Sequence, residues 1–198
     1  MTRDPVDSRL APSAMTPPIT IQRAQASDAR RLSAFARRMF HETFGPQNTP
    51  ENMHAYLSSS FNETRQLAEI ENPNAITLLV DSGATLVGYS HLQLGETPPC
   101  VSDRHAIELV RFYVDPALHG RGVAHQLMRE SLAAASARAL SVWLGVWDQN
   151  ARAIAFYGKC GFRDVGSHDF MLGTDRQTDR IMWRPTDDPP PHGGGHGG

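Results

Sequence analysis

Two glycines separated by one residue mark the segment of this chain best suited to bind an anion. The residues from His119 to Ala124 read HGRGVA, between an apolar run that ends at Asp115 and an amphipathic stretch. A strand, a turn and a helix N-terminus in this order present free backbone N–H groups, where a negative group is stabilised. Gly120 and Gly122 carry no Cβ, so a ligand can approach their backbone closely. The segment predicts a phosphate-binding loop, although similar spacing also occurs in tight turns that bind nothing.

The glycine spacing excludes two common kinds of phosphate site. The chain has no GxxxxGK[ST] sequence and therefore no P-loop. It also has no GxGxxG followed by a ribose-binding acid, which argues against a dinucleotide-binding fold. The anion expected at this loop belongs to another class of ligand.

A second motif follows about 30 residues later, a distance that suits one strand–helix unit. After an apolar run over 141–147, the chain reads NARAIAFYGKCGF from Asn150 to Phe162. With these two motifs in this order, the chain resembles the GCN5-related N-acetyltransferases (GNAT). In that family the second motif is N-x-x-A-x-x-F-Y-x-x-x-G-F, matched here by Asn150, Ala153, Phe156, Tyr157, Gly161 and Phe162.

The first motif also fits the acetyl-CoA loop of that family, Q/R-x-x-G-x-G/A. His119, Gly122 and Ala124 fill its key positions, with His119 where the family has Gln or Arg. The resemblance implies acetyl-CoA as the acetyl donor, without a metal. The residues it assigns to acetyl-CoA are Phe112, Tyr113, Val114, His119, Gly120, Arg121, Gly122, Val123, Ala124, Asn150, Ala153, Tyr157 and Lys159.

Several of these assignments have a simpler alternative. Asn150 suits the N-cap of a helix as well as a hydrogen bond to pantetheine, and Lys159 suits a solvated surface position. The main chain of Phe112, Tyr113 and Val114 is expected to pair with pantetheine and to stabilise negative charge on the acetyl oxygen.

An amine acceptor needs a base, because an amine of pKa near ~10.4 is cationic at neutral pH and costs about 4.6 kcal/mol to neutralise. Glu108 is the leading candidate, since glutamates at this position are general bases in histone-type GNAT members. Strand alternation predicts that Glu108 faces the same way as Val110, Phe112 and Val114. The alternative is a solvent-exposed carboxylate at the strand edge. Secondary candidates are His91 and the pair His41 and Glu42.

Tyr157 is the expected general acid. In the family this tyrosine donates a proton to the departing thiolate, and a phenol of pKa near ~10 is protonated at neutral pH. The alternative is a core position, on a stripe with Ala153, Phe156 and Cys160. Cys160 itself is a poor nucleophile because it follows a helix C-terminus, where the dipole raises a thiol pKa. Transfer is therefore expected to be direct.

The substrate prediction rests on a narrower resemblance. The segments 41–44, 47–57, 143–147 and 173–182 look like those of bacterial spermidine/spermine N-acetyltransferases, and the likeness covers nearly all of 19–185. It implies a small-molecule amine, a polyamine, as acceptor. Carboxylates that would line an anionic channel are Glu42, Glu51, Glu96, Glu108 and Asp115.

Two alternatives stay open at this point. One is a protein acetyltransferase that acts on lysine side chains or N-terminal amines. The other is a non-catalytic acetyl-CoA sensor that binds the cofactor and a protein partner. The sequence does not indicate an oligomeric state, and a homodimer would suit the family resemblance.

The composition of the chain limits its expected partners and cellular compartment. The 198 residues carry a net charge of −2 without a block of Lys or Arg, so no nucleic-acid partner is expected. No run approaches the ~20 apolar residues of a membrane span, and two cysteines, Cys100 and Cys160, suit a reducing compartment. These features predict a cytoplasmic protein. His192 and His196 are expected to be inert.

The elements that must position these groups follow from periodicity and turn signals. Strands are predicted over 19–23, 75–80, 85–94, 105–114, 141–147, 162–172 and 178–184. Helices are predicted after Ser27-Asp28, Pro50, Asn62, Gly122 and Asn150. The expected architecture is one α/β (α+β) domain over 19–185, between disordered tails at 1–18 and 186–198.

The resemblance adds the GNAT acyl-CoA N-acyltransferase fold to this architecture. That fold is a mixed twisted sheet of about seven strands with helices on both faces. Its strands splay apart after the fourth, and coenzyme A enters the opening.

Overall fold

A computed structural model describes residues 18–138, 140–172 and 175–186. The tails over 1–17 and 187–198, with His192 and His196, lie outside the described residues. The strands are β1 Ile19–Arg23, β2 Ala75–Ser82, β3 Thr85–Leu94, β4 Ile107–Val114, β5 Val142–Trp147, β6 Arg163–Leu172 and β7 Asp175–Arg184. The helices are α1 Ala29–Phe44, α2 Pro50–Ser60, α3 Glu63–Glu71, α4 Val123–Ser136 and α5 Ala151–Lys159.

Side-chain caps begin several helices where the sequence predicts. Asn62 Oδ1 accepts from the Arg65 N–H at 2.8 Å and begins α3, and Asn150 Oδ1 does the same for Ala153 at 3.1 Å in α5. The start of α1 differs, because a 3₁₀ turn over 26–28 precedes it. There Asp28 accepts from the N–H of Gln25, upstream of the helix, instead of capping the helix itself.

The seven strands form one sheet in the order β1-β2-β3-β4-β5-β7-β6. All neighbours are antiparallel except β4 and β5, which are parallel. These two strands pair only where Ile107 lies opposite Val142 and Glu108 opposite Trp143. Beyond that point they diverge, which confirms the expected seven-stranded sheet that opens after its fourth strand.

The sheet has an apolar layer on each face, which confirms helices on both sides. One core cluster contains Val123, Leu127 and Met128 of α4, and residues of α5 pack against it. The other cluster contains residues of α1 and α2, including Phe35 and Leu57. We refer to the two sides as the α4/α5 face and the α1/α2 face.

A β-bulge interrupts β4 at Val110. Opposite β3, Leu109 pairs with Leu92 and Arg111 pairs with His91, so Val110 has no partner in this register. An extra residue in one strand reverses the alternation of side chains beyond it. The bulge therefore changes which face each later residue of β4 presents.

The expected orientation of Glu108 is wrong for this reason. Leu109 before the bulge and both Phe112 and Val114 after it pack in the cluster on the α4/α5 face. Glu108, next to Leu109 in the regular part of the strand, must point to the opposite, α1/α2 face. Tyr113 packs against the cluster on that face too.

None of the helices that the structure describes is both long and apolar enough to cross a bilayer.

The predicted start of the last strand at Thr178 is late, since β7 begins at Asp175.

Candidate active site

The divergence of β4 and β5 opens a cleft of about 650 Å³. All of Glu108 to Val114 lines it on one side, and Gly145, Val146 and Trp147 line it on the other. Helices α1, α2 and α5 complete its walls, together with strands β6 and β7. The cleft thus brings together most of the residues that the sequence singles out.

The glycine loop has the backbone geometry of an anion site. Gly120 and Gly122 have φ angles of 77° and 80°, in the left-handed region that favours glycine. A Cβ at either position would meet nothing within 4 Å, so open space lies over this backbone. The first hydrogen bond of α4 runs from the Gln126 N–H to the Gly122 carbonyl at 3.0 Å. The N–H groups of Val123 and Ala124, which precede it, lack helical acceptors.

His119 links this loop to two other elements. Its Nε2 lies 3.1 Å from the Val114 carbonyl and its Nδ1 lies 2.6 Å from Arg152 Nη2. A carbonyl only accepts and a guanidinium only donates, so His119 fits the neutral tautomer with the proton on Nε2. Both His119 and Arg152 line the cleft.

The sequence analysis missed Arg152, although a signal was present. A cation in the first turn of a helix opposes the helix dipole. Such an unfavourable position, two residues after the Asn150 cap, indicates that the charge serves another group.

Tyr157 and its motif occupy the α5 wall of the cleft. Asn150, Ala153, Phe156 and Tyr157 all line it. The Tyr157 ring packs edge-on against Phe112, with ring centroids 6.3 Å apart. Burial raises the pKa of Tyr157 above its usual value, so the phenol holds its proton at neutral pH. Tyr157 therefore both packs against the core and lines the cleft.

Gly120, Arg121, Gly122 and Val123 do not themselves line the cleft, although His119 and Ala124 on either side of them do. Lys159 does not line the cleft either. It lines a separate cavity of about 390 Å³ with Ala133 and Ser136 of α4 and with Cys160. Burial raises the pKa of the Cys160 thiol, which leaves it protonated and weakly nucleophilic at neutral pH.

Glu108 lines the cleft at the point where β4 and β5 part. Burial raises the pKa of its carboxyl to about 7, while the charge of Arg111 opposes this shift. Arg111 is itself bound to Glu69 of α3 at 2.5 Å, and its effect on Glu108 is smaller than that of burial. A carboxyl group that titrates near neutrality can accept a proton in the physiological range.

The secondary base candidates are less well placed. His91 is 1% exposed, and its Nδ1 bonds to Thr77 Oγ1 at 2.8 Å, away from the residues that line the cleft. His41 is exposed, on the last turns of α1, and does not line the cleft. Glu42 lines the cleft but forms an ion pair with Arg38 at 3.4 Å.

The predicted anionic channel is only partly correct. Glu42 and Glu108 line the cleft, whereas Glu51 and Glu96 are exposed outside it. Asp115 is bound to Arg38 at 2.9 Å and does not line the cleft either.

The structure adds a carboxylate that the sequence analysis did not single out, Asp179 of β7. Burial and the nearby charge of Asp148 raise its pKa, and His168 lowers it. No local motif surrounds Asp179, and only the pairing of β7 with β5 brings it to the cleft.

Within the described parts of the chain, no group of three or more His, Cys, Asp or Glu side chains is placed to hold a metal ion.

Comparison with known proteins agrees with the family resemblance of the two motifs. The model of the Acetyltransferase (GNAT) family matches residues 35–162. An uncharacterized N-acetyltransferase of Mycobacterium tuberculosis is 35% identical over 159 residues, which cover 80% of this chain and 97% of that protein. The N-alpha-acetyltransferase RimI of the same organism is 34% identical over 155 residues, 78% of this chain and 84% of RimI.

The fold has solved counterparts as well. The crystal structure of the PaiA N-acetyltransferase from Thermoplasma acidophilum, in complex with coenzyme A, superposes with a TM-score of 0.68 at 22% identity. The match covers 85% of this chain and 99% of that structure. From the family match and the relatives of similar length, the chain belongs to the GNAT family and is an N-acetyltransferase.

Proposed function

We propose that this protein transfers the acetyl group of acetyl-CoA directly to a primary amine of a small cationic molecule, a polyamine such as spermidine or spermine. The observation that carries the proposal is the position of Glu108. Its carboxyl group lies in the cleft where the strands part, on the face opposite α4 and α5, with a pKa near neutrality.

The α4/α5 face fits the donor. The glycine loop offers N–H groups of Val123 and Ala124 with open space above Gly120 and Gly122, which suits a diphosphate. Arg152 lies beside the loop through its contact with His119 and adds a positive charge. Coenzyme A bound to the structurally similar PaiA enzyme supports this assignment.

The edge of β4 fits the rest of the donor. Pairing with β5 ends at Glu108, so from Leu109 to Val114 the backbone groups that face β5 have no strand to bond. Such groups can pair with the amides of pantetheine. An N–H among Phe112, Tyr113 and Val114 can also stabilise negative charge on the acetyl oxygen.

Glu108 accepts the proton of the incoming ammonium, directly or through one water. With an ordinary glutamate pKa of 4.5, this transfer from an amine of pKa near ~10.4 would be strongly uphill. The raised pKa of about 7 lowers that mismatch by an amount on the order of 3 kcal/mol. Burial of Glu108 therefore serves the chemistry.

Tyr157 donates a proton to the sulfur that leaves. Its phenol is buried in the α5 wall among Phe112, Phe156 and Phe162 and stays protonated. When the new N–C bond forms and the C–S bond breaks, the proton of Tyr157 neutralises the thiolate. Acid and base thus belong to opposite walls of one cleft.

The acceptor side favours a cation. Glu108 and Asp179 line the cleft without an arginine bonded to either carboxylate among the described residues. Aromatic side chains of Phe44, Tyr56 and Trp147 line it as well. Carboxylates and aromatic faces are the groups that bind alkylammonium ions.

A second candidate is acetylation of a protein N-terminus. It is favoured by the 34% identity to the N-alpha-acetyltransferase RimI. A peptide would leave the cleft as an extended chain, whereas a polyamine would end inside it.

The test is thiol release from acetyl-CoA with spermidine, spermine, simple monoamines, a lysine peptide and a peptide with a free N-terminus. Turnover of the polyamines with KM between about 1 μM and 1 mM, the usual range of enzymes, supports the proposal. Turnover of the N-terminal peptide alone would replace it with the second candidate. Turnover of the lysine peptide alone would indicate a lysine acetyltransferase.

A further inference from the structure

Asp179 occupies a central place on the acceptor side of the cleft. In the sheet its neighbours are Trp147 on β5 and His168 on β6. Its side chain is 16% exposed, so it is largely withdrawn from water. A carboxylate in such a position needs compensation by a positive group.

The protein supplies little of that compensation. His168 Nε2 lies 3.9 Å from Asp179 Oδ2, which is beyond hydrogen-bond distance. Elsewhere in the described chain, the buried carboxylates of Glu69 and Asp81 are bonded to arginines at 2.5 Å. Asp179 is therefore a partly buried acid with room for a cation.

Gly145 provides that room. A Cβ on Gly145 would lie 3.2 Å from Asp179 Oδ2 and 3.4 Å from His168 Nε2. Since Gly145 also lines the cleft, any side chain there would crowd the carboxylate from the side that a ligand would use. The glycine keeps Asp179 accessible from the cleft.

Aromatic side chains surround the same region. Trp147 is the strand neighbour of Asp179 and contacts Phe44 edge-on at 6.3 Å between ring centroids. Tyr56 of α2 is close enough to Asp179 for the carboxylate to raise its pKa, after the larger effect of burial. Aromatic faces beside a carboxylate form a recognised environment for an ammonium group.

The spacing from Glu108 defines the ligand. Glu108 lies opposite Trp143 of β5, and Asp179 lies opposite Trp147 of the same strand. Four residues of a β-strand span about 13 Å. Since β4 and β7 also lie on opposite sides of β5, the two acids are well separated along the cleft, although Asp179 Oδ2 leans toward Gly145. An extended aliphatic chain with a nitrogen at each end has the length to reach both.

We infer that Asp179 binds a second cationic nitrogen of the acceptor, one aliphatic chain away from the amine that Glu108 deprotonates. This inference rests on the proposed function and narrows the acceptor to diamines and polyamines. Asp179 then determines specificity and takes no part in proton transfer.

The test compares octane-1,8-diamine with octylamine, which differ only in the second amine. In Asp179→Asn, KM for the diamine should rise roughly tenfold to a hundredfold, the effect of losing a charge-assisted hydrogen bond. The turnover number should stay within about threefold of wild type, because the interaction is equally present in the ground and transition states. KM for octylamine should not change.

Glu96→Gln is the matched control, since Glu96 is an exposed acid that does not line the cleft. It should leave both amines unaffected. The inference is overturned if Asp179→Asn alters both amines equally or alters neither.

Calorimetric titration of the diamine into the full-length protein with coenzyme A separates this inference from the proposed function. Binding that depends on Asp179 without turnover of any amine would reject the proposed acetyl transfer to small amines and retain the cation site. Binding that is indifferent to Asp179→Asn would reject the cation site.

Discussion

The buried and partly buried carboxylates that the structure describes include two kinds, and the difference follows their location. On the α1/α2 face, Glu69 of α3 is 8% exposed in its side chain and is bonded to Arg111 and Arg65. Burial would raise its pKa, but these arginines outweigh burial and lower it. In the cleft, Glu108 and Asp179 are bonded to no arginine of the described chain, and burial raises the pKa of both.

The comparison separates acids that are paired with arginine from acids that we propose to be functional. A buried acid paired with arginine holds elements together, and removal of one partner leaves the other charge uncompensated. A buried acid without a partner destabilises the fold when it ionises, so its presence indicates a demand from chemistry or binding. Arg111 interacts with an acid of each kind, because it bonds to Glu69 and also lowers the pKa of Glu108.

The largest expected effect is on turnover in Glu108→Gln. Without a base, kcat should fall roughly 10³-fold, and the rise of kcat/KM with pH through about 7 in the wild type should disappear. The measurement is a pH–rate profile of thiol release. Glu42→Gln is the control, since Glu42 lines the same cleft but is paired with Arg38. A greater loss in Glu42→Gln would transfer the role of base to that residue.

The same Glu108→Gln variant should gain stability at alkaline pH. A glutamate whose folded pKa exceeds its unfolded value contributes fully below the unfolded pKa, and the contribution is lost as pH rises through the folded pKa. For Glu108 this window runs from about 4.5 to about 7. Thermal unfolding at pH 8 should therefore favour the variant, with little difference near pH 4.5.

Glu69→Gln should show the opposite pattern. It leaves Arg111 buried beside a neutral amide, and we expect a loss of about 3 kcal/mol in the free energy of unfolding. Urea denaturation measures this loss. Glu71→Gln, an exposed change on the same helix, should cost less than about 0.5 kcal/mol. Equal stability of the two variants would remove the distinction between structural and functional acids.

Tyr157→Phe should reduce turnover roughly 10²-fold and leave the dissociation constant of coenzyme A close to that of wild type. Stopped assays and calorimetry measure the two quantities. Tyr89→Phe is the matched control, because the buried Tyr89 hydroxyl has no hydrogen-bond partner among the residues that the structure describes and does not line the cleft. Unchanged turnover in Tyr157→Phe would reject the role of general acid.

The smallest expected effect is that of Gly122→Ala. Its φ of 80° would cost alanine about 1 kcal/mol, and the distorted loop should raise KM for acetyl-CoA a few-fold. Gly158→Ala in α5 is the control, since a Cβ there also meets nothing within 4 Å. Alanine in a helix should be neutral or stabilising. Equal KM values would show that the loop geometry is not needed for the donor.

Much of the architecture is local and could be predicted from the sequence. The caps Asn62 and Asn150, the turn at Gly122 and the positions of the strands follow from backbone preferences over a few residues. His119 and Ala124, at the two ends of the glycine loop, line the same cleft as Tyr157. Their roles in donor binding and proton transfer stay predictions.

The features of the site that were not predicted from the sequence depend on residues that are distant along the chain. The bulge at Val110 reversed the alternation along β4, and the sequence contains no turn residue or glycine there to indicate it. The strand therefore suggested the wrong face for Glu108. The contact between His119 and Arg152 joins segments from two separate motifs.

The sequence by itself determined the family, the loop that suits a phosphate and the identity of the two candidate proton-transfer groups, because these depend on residue type and short spacing. Only the tertiary structure decided which acids lie in the cleft. Burial raises the pKa of Glu108, and the pairing of β7 with β5 brings Asp179 to the cleft with no cation at bonding distance among the described residues. The electrostatic environment of an acid is the sum of contributions from many residues that are distant in sequence, so no local sequence pattern predicts it.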